Sequence, residues 1–223
     1  MSELEQLRRS WIANASAWTD AVRKRQIESR RLVTDAAMIA AALDHHPRRV
    51  LDLGCGEGWL ARALASHGIA VTGIDASEPL VQSARELGHG TFITLTYEEL
   101  VADPSRLGST FDVVVANFSI LDDHAEELLR ALRSALADDG QLIIQSVHPL
   151  FLGNDAAYVD GWRTETFAAM PGQWPESMPW YFRTVGSWSH TLADAGYTIA
   201  EIREPRYPDH DIPASILFIC RAN

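Results

Sequence analysis

The chain reads as a doubly wound α/β protein, a mostly parallel sheet with helices on both faces. Three observations predict this. Short aliphatic runs alternate with helix-period segments from residue 49 onward. The centres of those runs, VVVA and LII among them, are apolar throughout instead of alternating. The first run also passes directly into a glycine-rich turn and a helix. A strand apolar on both sides is buried on both faces, which is what crossover helices do to a parallel sheet.

The elements follow in order. Leu4, Leu7, Trp11, Ala15, Trp18 and Val22 recur at steps of three or four, giving one helical stripe. A second helix, with Thr34 or Ser29 as its cap, runs over 36–43 and ends before His45, His46 and Pro47. Residues 1–45 are thus expected to form a helical cover. Strands are expected at 49–53, 70–74, 91–95, 112–116 and 141–147, with helices near 59–66, 79–87, 98–106 and 123–136. The rhythm breaks after Val147. Residues 148–185 carry Pro149, Pro171, Pro175 and Pro179 together with Trp162, Trp174 and Trp180. A long aromatic stretch punctuated by proline predicts an insertion that acts as a lid or pocket wall. A helix at 187–195, a turn at Gly196 and strands at 198–203 and 215–220 follow. No repeat divides residues 1–223, which read as one domain.

Composition narrows the function classes. Hydrophobic residues at 47% and charged residues at 22% suit a folded globular chain. No apolar run approaches the ~18 residues of a membrane span. The start, MSELEQLRRSW, lacks the basic-then-apolar order of a signal peptide. With only Cys55 and Cys220 as thiols, these features point to the cytoplasm. A net charge of −11 disfavours a nucleic-acid substrate, and the basic run RKRQIESRR reads as a solvated helix face. No H-x-x-x-H, C-x-x-C or HExxH spacing occurs, so no metal is expected.

The most informative segment is VLDLGCGEGWLARAL, a strand, a glycine turn and a helix in succession. Gly54, Gly56 and Gly58 let backbone N–H groups approach a ligand without an intervening Cβ, and the helix start adds positive potential. The spacing is G-x-G-x-G, because Trp59 stands where a dinucleotide fingerprint needs its third glycine. Asp75 closes the second strand 21 positions after Gly54, a distance suited to ribose hydroxyls. A plain tight turn and an acid at a helix start are the alternative readings.

With VLDLGCGEG as its loop and GIDAS at the second strand, the chain resembles class I S-adenosylmethionine-dependent methyltransferases, in the branch acting on small molecules. The resemblance is strongest from Val50 to Val147. It implies a seven-stranded sheet with an antiparallel last strand, which keeps Cys55 and Cys220 apart. It implies S-adenosyl-L-methionine as cofactor, S-adenosyl-L-homocysteine as product, and a small organic acceptor methylated on oxygen or nitrogen. Asp52 and the backbone of Gly54, Cys55 and Gly56 would face the methionine portion. Asp75 would hold the ribose, and Ala76 and Leu80 the adenine. The acid usual after the third strand is missing, since Thr96 and Tyr97 stand there, so Tyr97 and Glu98 are the adenine-side candidates. Asn117 and Phe118 would line the sulfonium site. WIANASAW and IESRR resemble this branch's cofactor cover, in which Arg30, or else Arg31, would meet the carboxylate.

For the acceptor, His148 is the first candidate base, at the carboxyl end of the fifth strand where open α/β sheets bind ligands. Asp122, after the fourth strand, is the second. Their structural alternatives are a loop-fixing histidine and a helix cap. Tyr181, Arg183 and Trp188 are candidates to line the acceptor pocket, and Cys55 reads as a packing residue. Two rival readings stand beside the transferase: a nicotinamide-dependent oxidoreductase, and a non-catalytic S-adenosylmethionine-binding protein.

Overall fold

The computed structural model describes residues 1–152, 157–209 and 211–223. Residues 153–156 of the expected insertion lie outside the described residues. Two short helices, α1 (Glu3–Ala13) and α2 (Ala15–Arg23), precede α3 (Asp35–Asp44). Then come β1 (Arg49–Leu53), α4 (Trp59–Ala65), β2 (Ala70–Asp75), α5 (Glu78–Leu87), β3 (Thr91–Thr94), α6 (Tyr97–Ala102), β4 (Phe111–Asn117), α7 (Ala125–Leu132) and β5 (Leu136–Ser146). A hairpin of β6 (Gly161–Glu165) and β7 (Met178–Phe182) leads to α8 (Val185–Asp194), β8 (Tyr197–Arg203) and β9 (Ile216–Ala222). The main sheet has the order β3-β2-β1-β4-β5-β9-β8, with β9 antiparallel to both neighbours. This is the expected seven-stranded architecture.

Side-chain alternation divides the core between the two faces of the sheet. Val50, Val113, Val115, Ile143, Leu217 and Ile219 pack with Met38 of α3 and Leu60 and Leu64 of α4. Leu51, Val114, Leu142, Ile144 and Phe218 pack with Leu128 of α7 and with Trp188 and Leu192 of α8. Parity then places Asp52, Asn117 and Gln145 on the first face, at the carboxyl ends of three adjacent strands. Cys55 and Cys220 are both free and buried, one in each half of the core.

A third apolar cluster joins Leu7 of α1 to Phe167, Met178, Trp174 and Trp180, binding the cover to the insertion. Trp11, Trp18, Trp174 and Phe167 continue it as a chain of ring contacts at 4.3–6.4 Å.

Three expectations about elements are corrected. The stripe from Leu4 to Val22 is broken at Asn14, where α1 ends and α2 begins, because the buried Asn14 amide hydrogen-bonds across to the insertion. The helix expected at 123–136 stops at Leu132, and a tight turn at Arg133–Ala135 releases the chain into β5. Ahead of α3 the helix widens into a π turn at Arg30–Thr34, so neither Ser29 nor Thr34 caps it with a side chain. Among the described residues no helix is long and apolar enough to cross a membrane.

Candidate active site

β1 ends in the glycine loop. Gly54 has φ +67°, and a Cβ there would sit 2.4 Å from Cβ of Ser119, so the loop abuts the chain leaving β4. Gly56, at φ +56°, lies beneath the Trp18 indole, whose Nε1 would be 3.7 Å from an added Cβ. The Gly56 N–H donates to Oδ2 of Asp75 at 2.9 Å, while Oδ1 accepts the Ser77 N–H at 2.8 Å. The acid closing β2 thus shapes the loop after β1. Burial raises the Asp75 carboxyl above its ordinary range, and those two N–H groups oppose the rise.

The loop's own acid, Glu57, is buried and gripped by Arg62 through both oxygens at 2.6 and 2.7 Å. Arg23 at the end of α2 reaches the same carboxylate at 3.1 Å, which ties the cover to the loop. Sequence reading missed this clamp. An acid inside the glycine loop with an arginine five positions on was the available signal.

Polar atoms without partners concentrate around this loop. Nη2 of Arg30, Oδ2 of Asp52, Oγ of Ser77, Oδ1 of Asn117 and Oγ of Ser119 are all buried and have no hydrogen-bond partner among the described residues. Buried polar groups are nearly always paired, so five orphans in one region mark a ligand's place. Arg30 has a side chain only 10% exposed, bonds Asp35 at 2.8 Å, and stacks 4.7 Å from Trp59 and 5.9 Å from Trp18. Arg31 is exposed, its nearest acid Glu28 at 3.9 Å. Burial pushes the Asp52 carboxyl up to about 8, the neighbouring Asp75 adds to the rise, and Arg30 opposes it.

The remaining cofactor candidates sit as follows. Leu80 is a buried residue of α5, while Ala76 is exposed beside Asp75. The Tyr97 hydroxyl donates to the Ser119 carbonyl at 3.3 Å, and burial raises its pKa. Glu98 is exposed and ion-paired with Arg8 of α1. Cys55 packs against Gly73, where any Cβ would come within 2.7 Å, and burial raises its thiol well above the ordinary value. Phe118 holds φ +53°, a conformation rare for an aromatic residue and common at functional sites.

On the acceptor side, Oδ1 of Asp122 accepts the His124 N–H at 2.9 Å, and its other oxygen has no partner among the described residues. Burial raises this carboxyl, opposed by the His124 N–H and by Arg183. His148 is buried but turned toward the β8–β9 connection. Its Nε2 lies 2.8 Å from Oε1 of Glu204, and its Nδ1 accepts the Leu150 N–H at 3.2 Å. Arg183 donates to the Asp122 carbonyl at 2.5 Å and lies over Tyr181 and Trp188. The structure therefore joins Asp122 to Arg183 and His148 to Glu204. Among the described residues no three His, Cys, Asp or Glu side chains gather as a metal site.

A sheet of this order, with a glycine loop after its first strand and an acid closing its second, is that of class I S-adenosylmethionine-dependent methyltransferases. A methyltransferase-domain family model matches residues 22–202, and the chain belongs to that family. An uncharacterized methyltransferase of Schizosaccharomyces pombe is 28% identical over 71% of this chain and 62% of its own length. A ubiquinone biosynthesis O-methyltransferase of Haemophilus ducreyi is 30% identical over 45% of this chain and 46% of its own. The chain thus spans about half to three-fifths of the curated relatives it matches. Among solved structures, a putative S-adenosylmethionine-dependent methyltransferase from Listeria monocytogenes has TM-score 0.67 at 22% identity, covering 85% of this chain and 96% of that one. A Burkholderia thailandensis 1,6-didemethyltoxoflavin-N1-methyltransferase with bound S-adenosylhomocysteine also has TM-score 0.67, at 18% identity, covering 99% and 88%.

Proposed function

We propose that the protein transfers the methyl group of S-adenosylmethionine to a small organic acceptor, on oxygen or nitrogen, by in-line displacement. The observation carrying this reading is the set of unpartnered buried atoms around the glycine loop. Two of them suit the charged ends of the cofactor's methionine portion. The free Nη2 of Arg30 suits its carboxylate and the free Oδ2 of Asp52 its ammonium. Asp75, already oriented by Gly56 and Ser77, has lone pairs left for ribose hydroxyls. The backbone of Gly54, Cys55 and Gly56 borders the methionine portion, Ala76, Leu80, Tyr97 and Glu98 the adenine, and Asn117 and Phe118 the sulfonium.

The cofactor supplies a methyl group already activated on a sulfonium, so the chain's task is alignment and water exclusion. Trp18 over Gly56 and the aromatic chain to Phe167 serve exclusion. For a hydroxyl acceptor we assign proton removal to Asp122, whose second carboxylate oxygen is free and whose affinity for a proton burial raises. His148, with both ring nitrogens engaged, holds the start of the insertion in place. The names of the Haemophilus O-methyltransferase and the Burkholderia N1-methyltransferase support a small acceptor in place of a nucleic acid. We place this activity in the cytoplasm and in one domain formed by the whole chain.

Calorimetry tests the cofactor: S-adenosylmethionine and S-adenosylhomocysteine should bind, and NAD should not. Tight NAD binding without response to either methyl-donor form overturns the reading in favour of an oxidoreductase. Labelled S-adenosylmethionine mixed with protein and a metabolite extract should transfer label to a small molecule. Cofactor binding with no transfer would leave a binding protein without acceptor chemistry.

A further inference from the structure

Two guanidinium groups in this protein are held alike. Arg30 stacks on two tryptophans, makes one hydrogen-bonded ion pair and leaves Nη2 buried and unpartnered on the cofactor side. Arg183, the residue after β7, is its counterpart. It is 5% exposed, lies 4.9 Å from the Tyr181 ring and 5.1 Å from Trp188, and gives one N–H to the Asp122 carbonyl. Its Nη1 is buried and has no hydrogen-bond partner among the described residues.

That arrangement is costly. A guanidinium has five N–H donors and does not shed its proton, so a buried one needs partners. Among the described residues no carboxylate comes within salt-bridge distance of Arg183, and Asp122, Asp160 and Asp123 act on it only from further away. A role confined to holding the Asp122 loop would use Nη2 and leave Nη1 unexplained. The position also favours an anion. Arg183 directly precedes the N-terminal end of α8, a ten-residue helix capped by Thr184, whose dipole adds positive potential there.

The group is also near the chemistry. Asp122 follows Asn117 by five positions, and the Tyr97 hydroxyl that touches Ser119 feels the Asp122 charge as well. β7 is pinned to the same loop by its Tyr181 N–H on the Leu121 carbonyl at 2.8 Å. Arg183 is therefore one contact from the segment that leaves β4 beside the cofactor loop.

We propose that Arg183 anchors a carboxylate on the methyl acceptor, so that the substrate is a small organic acid. This rests on the methyltransferase reading and narrows its acceptor. The free Nη1 faces the carboxylate, while Tyr181 and Trp188 hold the guanidinium plane against rotation. Asp122 lies beside the anchored group to take a proton from a hydroxyl on the same molecule.

The test uses benzoate and 4-hydroxybenzoate, each against its amide, titrated calorimetrically into protein saturated with S-adenosylhomocysteine. The carboxylates should bind about 10–100-fold more tightly than the amides, the scale of a charge-assisted pair. Arg183→Gln should abolish that preference without changing S-adenosylhomocysteine affinity, and Arg183→Lys should keep part of it. Amides equal to carboxylates, no binding by either, or a preference that survives Arg183→Gln overturns the proposal. If Arg183→Gln does not fold, the wild-type comparison and Arg183→Lys decide. S-adenosylhomocysteine binding separates the two failures: a protein that ignores it fails as a methyltransferase, whereas one that binds it but ignores the carboxylates fails only here.

Discussion

The side-chain amide of Asn14 pairs with the backbone of Glu176 in both directions, donating to its carbonyl at 2.7 Å and accepting its N–H at 3.2 Å. One buried side chain thereby fastens the N-terminal cover to the insertion, next to the Arg9–Glu176 ion pair. Asn14→Ala leaves both Glu176 backbone groups unpaired at a cost of about 1–3 kcal/mol. The cover should then open more often and S-adenosylhomocysteine should leave faster. Stopped-flow tryptophan fluorescence reads this directly through Trp18 and Trp174. An unchanged release rate would make the cover a static wall.

Asp75→Ala removes the proposed ribose partner and the acceptor for the Gly56 and Ser77 N–H groups together. S-adenosylhomocysteine affinity should fall by ~1.5–3 kcal/mol, the scale of hydrogen bonds to a charged group. Calorimetry that finds the affinity unchanged would put the ribose elsewhere.

Asp52 links cofactor binding to pH. Burial pushes its carboxyl up to about 8 from the ordinary 3.8, so the neutral form is favoured at pH 7. Its stabilising effect is full below the unfolded value and is lost as pH rises through the folded one. A cofactor ammonium beside Oδ2 favours the carboxylate, so binding at pH 7 should expel a proton and affinity should rise toward pH 8. Calorimetry in two buffers of different ionisation enthalpy measures that proton. Asp52→Asn should abolish its release, and methylthioadenosine, which lacks the ammonium, should show none.

The two acceptor-side candidates make opposite forecasts. With a hydroxyl acceptor, Asp122→Asn should lower kcat by ~10²–10⁴, the usual contribution of general-base catalysis. His148→Asn, which keeps a hydrogen bond to the insertion, should retain most of its turnover. Glu204→Gln should match His148→Asn, and the double variant should be no worse than either, because the pair acts as one contact. Steady-state kinetics showing the reverse ranking would return the base to His148.

Much of the scaffold was legible because it depends on local pattern. The strand at 49–53 comes from its apolar run and the helix over 79–87 from the alternation of helical segments with strands, and the structure has both within a residue. The break at Asn14 was not legible, since its cause lies 162 positions away at Glu176. β5 begins at Leu136, earlier than expected, because LRSALADD is good helix sequence that pairing with Phe111 overrides. At the site, the glycine loop and Asp75 follow from spacing. The orphaned hydroxyls of Ser77 and Ser119 do not, since burial without a partner is a property of three dimensions. The direction of His148 was equally hidden, being set by Glu204 on a distant connection.

The wide turn that carries Arg30 has a consequence for how binding and folding are encoded. In it the Asp35 N–H reaches back to the Arg30 carbonyl, five residues instead of four. Such a turn is an α-helix with one residue inserted, and one residue rotates a helix by about 100°. Ahead of the surplus residue, Arg30 faces Trp18 and Trp59; behind it, Met38, Ala41 and Ala42 face the core. Deleting a single codon within the turn would restore an ordinary helix and swing the guanidinium about a quarter-turn away from Trp18 and Trp59, leaving the core-facing stripe in phase. If Arg30 holds the cofactor as proposed, ligand affinity and stability are written in two reading phases of one helix, and a lineage could lose or regain the first without touching the second.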